Sequence, residues 1–173
     1  KELLQKYSRV YFLSDNYVPM SLENIDTQYL FDETKTLQFH TLALSFLERM
    51  IKRAVRDGVS LKIVSAYRSF GTQSSLKSSY LVTYGSGSNQ FSADQGYSEH
   101  QLGTAVDITT EGKVALLTTD FDQTPAYVWL TKNAYKYGFI LSYPKGNKYY
   151  QYEPWHWRFV GVDLATRLQD EGI

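Results

Sequence analysis

The stretch "YSEHQLGTAVDI", residues 97 to 108, places His100 after Ser98 and Glu99 and puts Asp107 inside the apolar run Ala105–Ile108. A carboxylate in an apolar run is costly to bury without a partner, so something has to compensate it. Read as a strand, "TAVDIT" sends Val106 and Ile108 to one face and Ala105, Asp107 and Thr109 to the other. One face is then core. The other holds a carboxylate rigidly against whatever lies opposite.

Working outward, "WHWRFV", residues 155 to 160, repeats the pattern: Trp155, Trp157 and Phe159 fall on one face, His156 and Arg158 on the other. His100, Asp107 and His156 are nitrogen and oxygen ligands, and three protein ligands with a fourth position left for water is the pattern of catalytic zinc. Glu153 precedes His156 by three residues, with Pro154 between them. Strict parity turns it away from the metal face, and a bend at Pro154 returns it to a place where a carboxylate can take a proton from water and hand it to a leaving amine. Spacing alone leaves the plain reading open. Such pairs arise by chance, Arg158 can simply pair with a carboxylate, and Trp155 and Trp157 can simply be core.

The rest of the composition narrows the field. A chain of 173 residues makes one compact domain. Eighteen basic and eighteen acidic residues give a net charge of zero, which disfavours capture of nucleic acid or an anionic membrane. With no cysteine there is no disulfide, thiolate metal site or cysteine nucleophile, so any metal is held by histidine and carboxylate. The first residues lack the order of a signal peptide, and no apolar run is long enough to span a bilayer. Fifteen tyrosines, nine phenylalanines and three tryptophans fit strand packing first and a stacking groove second.

Apolar residues at intervals of three and four predict a helix over Phe39–Val55, closed by Gly58, with His40 on its surface in a structural role. "LKIVSAY", residues 61 to 67, reads as a strand, followed by a helix from about Thr72 to Tyr84 and a mobile loop over residues 85–96. Thr124 and Pro125 open a further helix that Gly138 ends. "FILSYPKGNKYYQYE", residues 139 to 153, predicts two strands around a Lys-Gly-Asn-Lys turn, before the strand at 155–160 and a terminal helix over 162–170. The order predicts an α+β domain in which a small, mainly antiparallel sheet carries the zinc site and helices flank it.

Four segments in order, "SAYRSFGTQ", "YSEHQLGTAVDI", "WLTKNAYKYGFILSYP" and "YEPWHWRFVG", resemble the D-alanyl-D-alanine carboxypeptidase family of bacterial zinc peptidases. That group includes VanY-type enzymes and L,D-carboxypeptidases of LdcB type, and its wider superfamily takes in lysostaphin-type endopeptidases and the Hedgehog zinc domain. The resemblance runs from about Tyr17 to Gly161, which divides the chain into a lead-in segment, residues 1–16, and a catalytic domain, residues 17–173. It implies one zinc ion per chain on His100, Asp107 and His156, with Glu153 as the catalytic carboxylate. Tyr67, Arg68, Ser69 and Gln73 match the family's "YRS...Q" segment. Arg68 is thereby implied in catalysis and in holding the substrate's terminal carboxylate, with Gln73, Ser98, Tyr67 and Trp155 around the substrate. Tyr97 and the short "FSADQG" loop depart from the family's pattern next to the expected groove, which bears on subsite preference.

The implied activity is removal of the terminal D-alanine from peptidoglycan stem peptides. If the preceding residue is D-alanine the enzyme is a D,D-carboxypeptidase, slightly favoured; if it is the L-centre of a diamino acid it is an L,D-carboxypeptidase. An endopeptidase of the same superfamily and a zinc-stabilised wall-binding domain are the rivals. A monomer acting outside the cytoplasmic membrane, secreted or anchored by a segment outside this sequence, is expected.

Overall fold

A computed structural model of the chain describes residues 13–84, 96–112, 116–147 and 151–172. Its strands are β1 (Leu22–Asn24), β2 (Gln38–His40), β3 (Lys62–Ser65), β4 (Ala105–Thr109), β5 (Phe139–Leu141) and β6 (His156–Phe159). Its helices are α1 (Thr41–Arg56), α2 (Phe70–Tyr84), α3 (Pro125–Asn133) and α4 (Val162–Asp170). β1 and β2 pair as a small ribbon, and the other four strands form an antiparallel sheet in the order β3-β4-β6-β5. The α+β single-domain architecture is the one that the element order predicts.

The sheet's register carries the parity argument. Val106 lies opposite Trp157 and Asp107 opposite His156, and directly opposed residues of an antiparallel pair share a face. Val106, Ile108 and Trp157 therefore enter the core, with Phe39, Leu47, Met50, Ile51 and Phe139. Asp107 and His156 stand together on the other side. That side is also covered: all five β4 residues are buried, and a 3-10 turn over Glu99–Leu102 packs His100 and Glu99 against it.

α1 buries Ala43, Leu44, Leu47, Met50, Ile51 and Ala54. Each large side chain of that stripe contributes about 1.5–3 kcal/mol when fully buried, enough to fix the helix in place. The helix starts two residues later than periodicity predicts, because Phe39 belongs to β2 opposite Glu23. His40 is the cap, its Nδ1 accepting from the Leu42 amide at 3.3 Å, rather than a residue on the helix surface. A strand running straight into a helix keeps apolar residues in step across the junction, so the pattern does not reveal the boundary.

α3 begins as read, with the Thr124 hydroxyl accepting from the Tyr127 amide and Pro125 in the first turn. It tightens into a 3-10 turn over Ala134–Tyr137 and stops at Gly138, φ 83°, where a Cβ would meet Phe159 Cε2 at 2.7 Å. Of the two strands expected over 139–153 the first is present. Residues 151–153 form no strand, and 148–150 lie outside the described residues. β5 pairs instead with β6, Phe139 opposite Phe159, whose apolar face reaches the core. The predicted loop over 85–96 falls, apart from Gly96, outside the described residues.

Candidate metal and catalytic site

His100 sits in the 3-10 turn just ahead of β4, and Gly103 makes the link. With φ 70° it turns the chain directly into the strand while its carbonyl accepts from the His40 amide at 2.8 Å; a Cβ there would press on Leu22 and Pro19 at 3.0 and 3.1 Å. His100 Nδ1 donates to the Ala66 carbonyl, 2.6 Å away at the end of β3. Burial, reinforced by the charge of Arg68, pushes the His100 pKa down to about 4, so near neutrality the ring is uncharged and its single proton is on Nδ1. Its Nε2 then aims a lone pair at Asp107 Oδ2, 3.2 Å away.

The second Asp107 oxygen, Oδ1, lies 3.1 Å from His156 Nδ1. Burial by itself raises a carboxylic acid's pKa, yet the two histidines hold Asp107 well below the usual carboxylate range. His156 is held from several sides. Its Nε2 is 3.0 Å from Glu99 Oε2, the Tyr143 ring stacks on it at 4.6 Å with planes 18° apart, and the His100 ring meets it edge-on at 4.9 Å. Burial would lower its pKa, but Asp107 and Glu99 carry it up to about 10.

Glu153 enters through a bend at Pro154 that breaks strand parity. Residues 154 and 155 form a turn, the His156 amide donates to the Glu153 carbonyl at 3.1 Å, and Glu153 Oε2 comes to 3.9 Å from His156 Nδ1. Burial lifts the Glu153 pKa to about 7, with His156 and Arg68 pulling it down and Asp107 and Glu99 pushing it up.

The donor set fits a divalent cation. One ligand atom from each of His100, Asp107 and His156 lies within 4.8 Å of the others. His100 offers a lone pair to a carboxylate that already has its own, an arrangement that a positive charge between them makes favourable. Nitrogen and oxygen donors without thiolate suit zinc with an open position.

Among the other sequence-derived residues, Arg68 lies near enough for its charge to act on His100 and Glu153. Arg68 follows β3, its amide donating to the His100 carbonyl at 3.2 Å, and its Nε is buried without a hydrogen-bond partner among the described residues. Gln73 on α2 and Ser98 before the turn are both buried. Tyr67 is partly buried, which raises its pKa. Trp155 is half-buried and leans on the core. Two residues carry no role in the sequence reading. Glu99 is 1% exposed and bridges His156 to Arg158, whose Nη1 is 2.8 Å from Glu99 Oε1, and Tyr143 covers the His156 ring. The signal for Glu99 was Arg158 itself, a cation on the ligand-bearing face that required a carboxylate.

Residues 36–162 match the VanY family model, D-alanyl-D-alanine carboxypeptidase. A D-alanyl-D-alanine carboxypeptidase of Enterococcus faecium is 38% identical over 136 residues, covering 76% of this chain and 40% of its own. Among solved structures, an LdcB LD-carboxypeptidase superposes with a TM-score of 0.85 at 35% identity, covering 94% of this chain and 78% of its own. A Glu-to-Ala mutant of the vancomycin-resistance D,D-pentapeptidase VanY in complex with Zn(II) gives a TM-score of 0.76 at 27% identity, covering 93% and 89%. The chain spans 40% to 65% of the length of the curated relatives it matches. With the matched model spanning most of the chain, and with the same fold in LdcB and VanY, this protein belongs to the VanY family of D-alanyl-D-alanine carboxypeptidases.

Proposed function

We propose that the chain is a zinc-dependent carboxypeptidase that removes the C-terminal D-alanine from peptidoglycan stem peptides, with His100, Asp107 and His156 holding one zinc ion. The observation that carries this reading is the meeting of two imidazoles and a carboxylate on one buried face, with Glu153 beside them at 3.9 Å. When bound, zinc supplies Lewis acidity, polarising a carbonyl and bringing the pKa of a water down to about 7.

Glu153 takes the proton of the attacking water at its carboxylate and returns it to the departing amine of D-alanine. A pKa raised to about 7 suits a group that must both accept and donate near neutrality. Arg68 grips the terminal carboxylate with its planar fork, and its charge steadies negative charge developing on the scissile carbonyl. Its buried Nε, unpartnered among the described residues, supports this role, since such a group is costly unless a ligand completes it. Gln73, Ser98, Tyr67 and Trp155 serve as further substrate contacts. Action on peptidoglycan implies a place outside the cytoplasmic membrane. No helix among the described residues is long and apolar enough to cross one.

The D,D-activity accords with the family model and the Enterococcus faecium relative. The L,D-activity is the second reading, favoured by the TM-score of 0.85 to the LdcB LD-carboxypeptidase. Incubating the purified protein with pentapeptide and tetrapeptide muropeptides, with and without chelator, and following D-alanine loss by mass separates them. Chelator-sensitive loss from pentapeptide alone supports the first, and loss from tetrapeptide the second. No metal-dependent loss from either overturns the carboxypeptidase reading.

A further inference from the structure

We propose that Glu99 and Arg158 together select which nitrogen of His156 is free to bind metal, Arg158 acting by forcing the carboxylate, and only a carboxylate, to face the ring. The inference deepens the metal reading above and rests on it. Glu99 is buried, and its two oxygens have separate tasks: Oε1 accepts from Arg158 Nη1 at 2.8 Å and Oε2 faces His156 Nε2 at 3.0 Å. A guanidinium has only donors and does not lose its proton in proteins. With Oε1 committed to Arg158, Oε2 remains an acceptor, and the matching state of His156 carries a hydrogen on Nε2. The Nδ1 lone pair is then turned toward Asp107 and Glu153. The Tyr143 ring, stacked on the imidazole at 4.6 Å, keeps the plane in which this choice is made. Outer carboxylates that fix a ligating histidine in this way act on metal affinity through the ligand, so Glu99 is a positioning residue.

This arrangement makes an unusual demand on the near-isosteric change Glu99→Gln. An amide has one oxygen and one NH2 group, and the NH2 has to face either Arg158 or His156. Arg158 cannot accept a hydrogen bond, so the amide oxygen stays with Arg158 and the NH2 is left to donate to His156 Nε2. That bond moves the ring hydrogen to Nδ1, where it blocks the lone pair. Replacing Arg158 with methionine as well releases the amide oxygen to turn back to His156.

The test measures zinc affinity by competition with a chromophoric chelator for the unmodified protein, Glu99→Gln, and Glu99→Gln with Arg158→Met. In parallel, long-range 1H–15N spectra identify the protonated nitrogen of His156 in the unmodified zinc-loaded protein, which requires no variant to fold. The expected result is an Nε2–H on His156, roughly a 10- to 100-fold loss of zinc affinity in the single variant, and recovery of part of it in the double variant. A proton on Nδ1 in the unmodified protein overturns the inference and leaves the metal site standing, as does a folded single variant that binds zinc as tightly as its parent. Absence of zinc binding by the unmodified protein overturns the metal reading and this inference with it.

Discussion

Asp107 and His156 lie directly opposite each other in the β4–β6 ladder, and Asp107 Oδ1 comes to 3.1 Å from His156 Nδ1. Two hydrogen-bonded strands hold this pair, so its separation is set by sheet geometry rather than by a loop. His100 joins it from a turn anchored through Ala66.

Zinc binding to such a site has to displace a proton. In the cation-free protein the pKa of His156 is raised from 6.5 to about 10, so at pH 8 the ring is charged and gives up its Nδ1 proton when a cation takes that place. His100, lowered to about 4, and the ionised Asp107 have none to give. Calorimetry at pH 8 in buffers of different ionisation enthalpy should show at least one proton released per zinc, the His156 proton together with what a metal-bound water of pKa about 7 gives up, and zinc affinity should rise as pH climbs toward about 10. Binding without proton release would mean that His156 is not a ligand.

Glu153→Gln keeps the size of the side chain and removes its ability to accept a proton. Zinc content should be retained while D-alanine release falls by about 100-fold or more. A variant that still turns over at the parental rate would move the base elsewhere. Wall binding unaffected by the change, with no turnover detectable in either protein, would favour the zinc-stabilised binding domain.

The same substitution reports on the raised pKa. Glu153 is lifted from 4.5 to about 7 by burial, so the folded protein binds that proton more tightly than the unfolded chain does. The stability that this group contributes is fully present below pH 4.5 and is lost as pH rises through about 7. In the presence of chelator, urea unfolding should show Glu153→Gln gaining on its parent between those two values and levelling off above them. A difference that stays flat across the window would place Glu153 at an ordinary pKa.

Arg68→Lys keeps the charge and loses the fork. On a substrate with a free terminal carboxylate, kcat/KM should fall roughly 10- to 100-fold, the equivalent of one charged hydrogen bond. On the same peptide with an amidated end it should change little, so that the preference between the two shrinks. A parental protein that cleaves both peptides equally would point to the endopeptidase reading.

Local pattern alone establishes the α+β order, the faces of β4 and β6, and the three ligand-type residues with Glu153 three positions before His156. Alternation is a local property of a strand, and Asp107 among Val106 and Ile108 shows which face each side chain takes. Local pattern also establishes the helix caps at Thr124 and Gly138, where backbone geometry demands particular residues. Other features arise only where distant chain segments meet. The role of His40 as a cap, the pairing of β5 with β6, the Tyr143 ring over His156 and the burial of Glu99 between His156 and Arg158 belong to that group. Glu99 and Arg158 are 59 residues apart; the parity of β6 shows that Arg158 needs a carboxylate, and nothing local shows which one. Their pairing follows from burial, because two charges removed from water on one face must find each other, and only the folded sheet brings that face together.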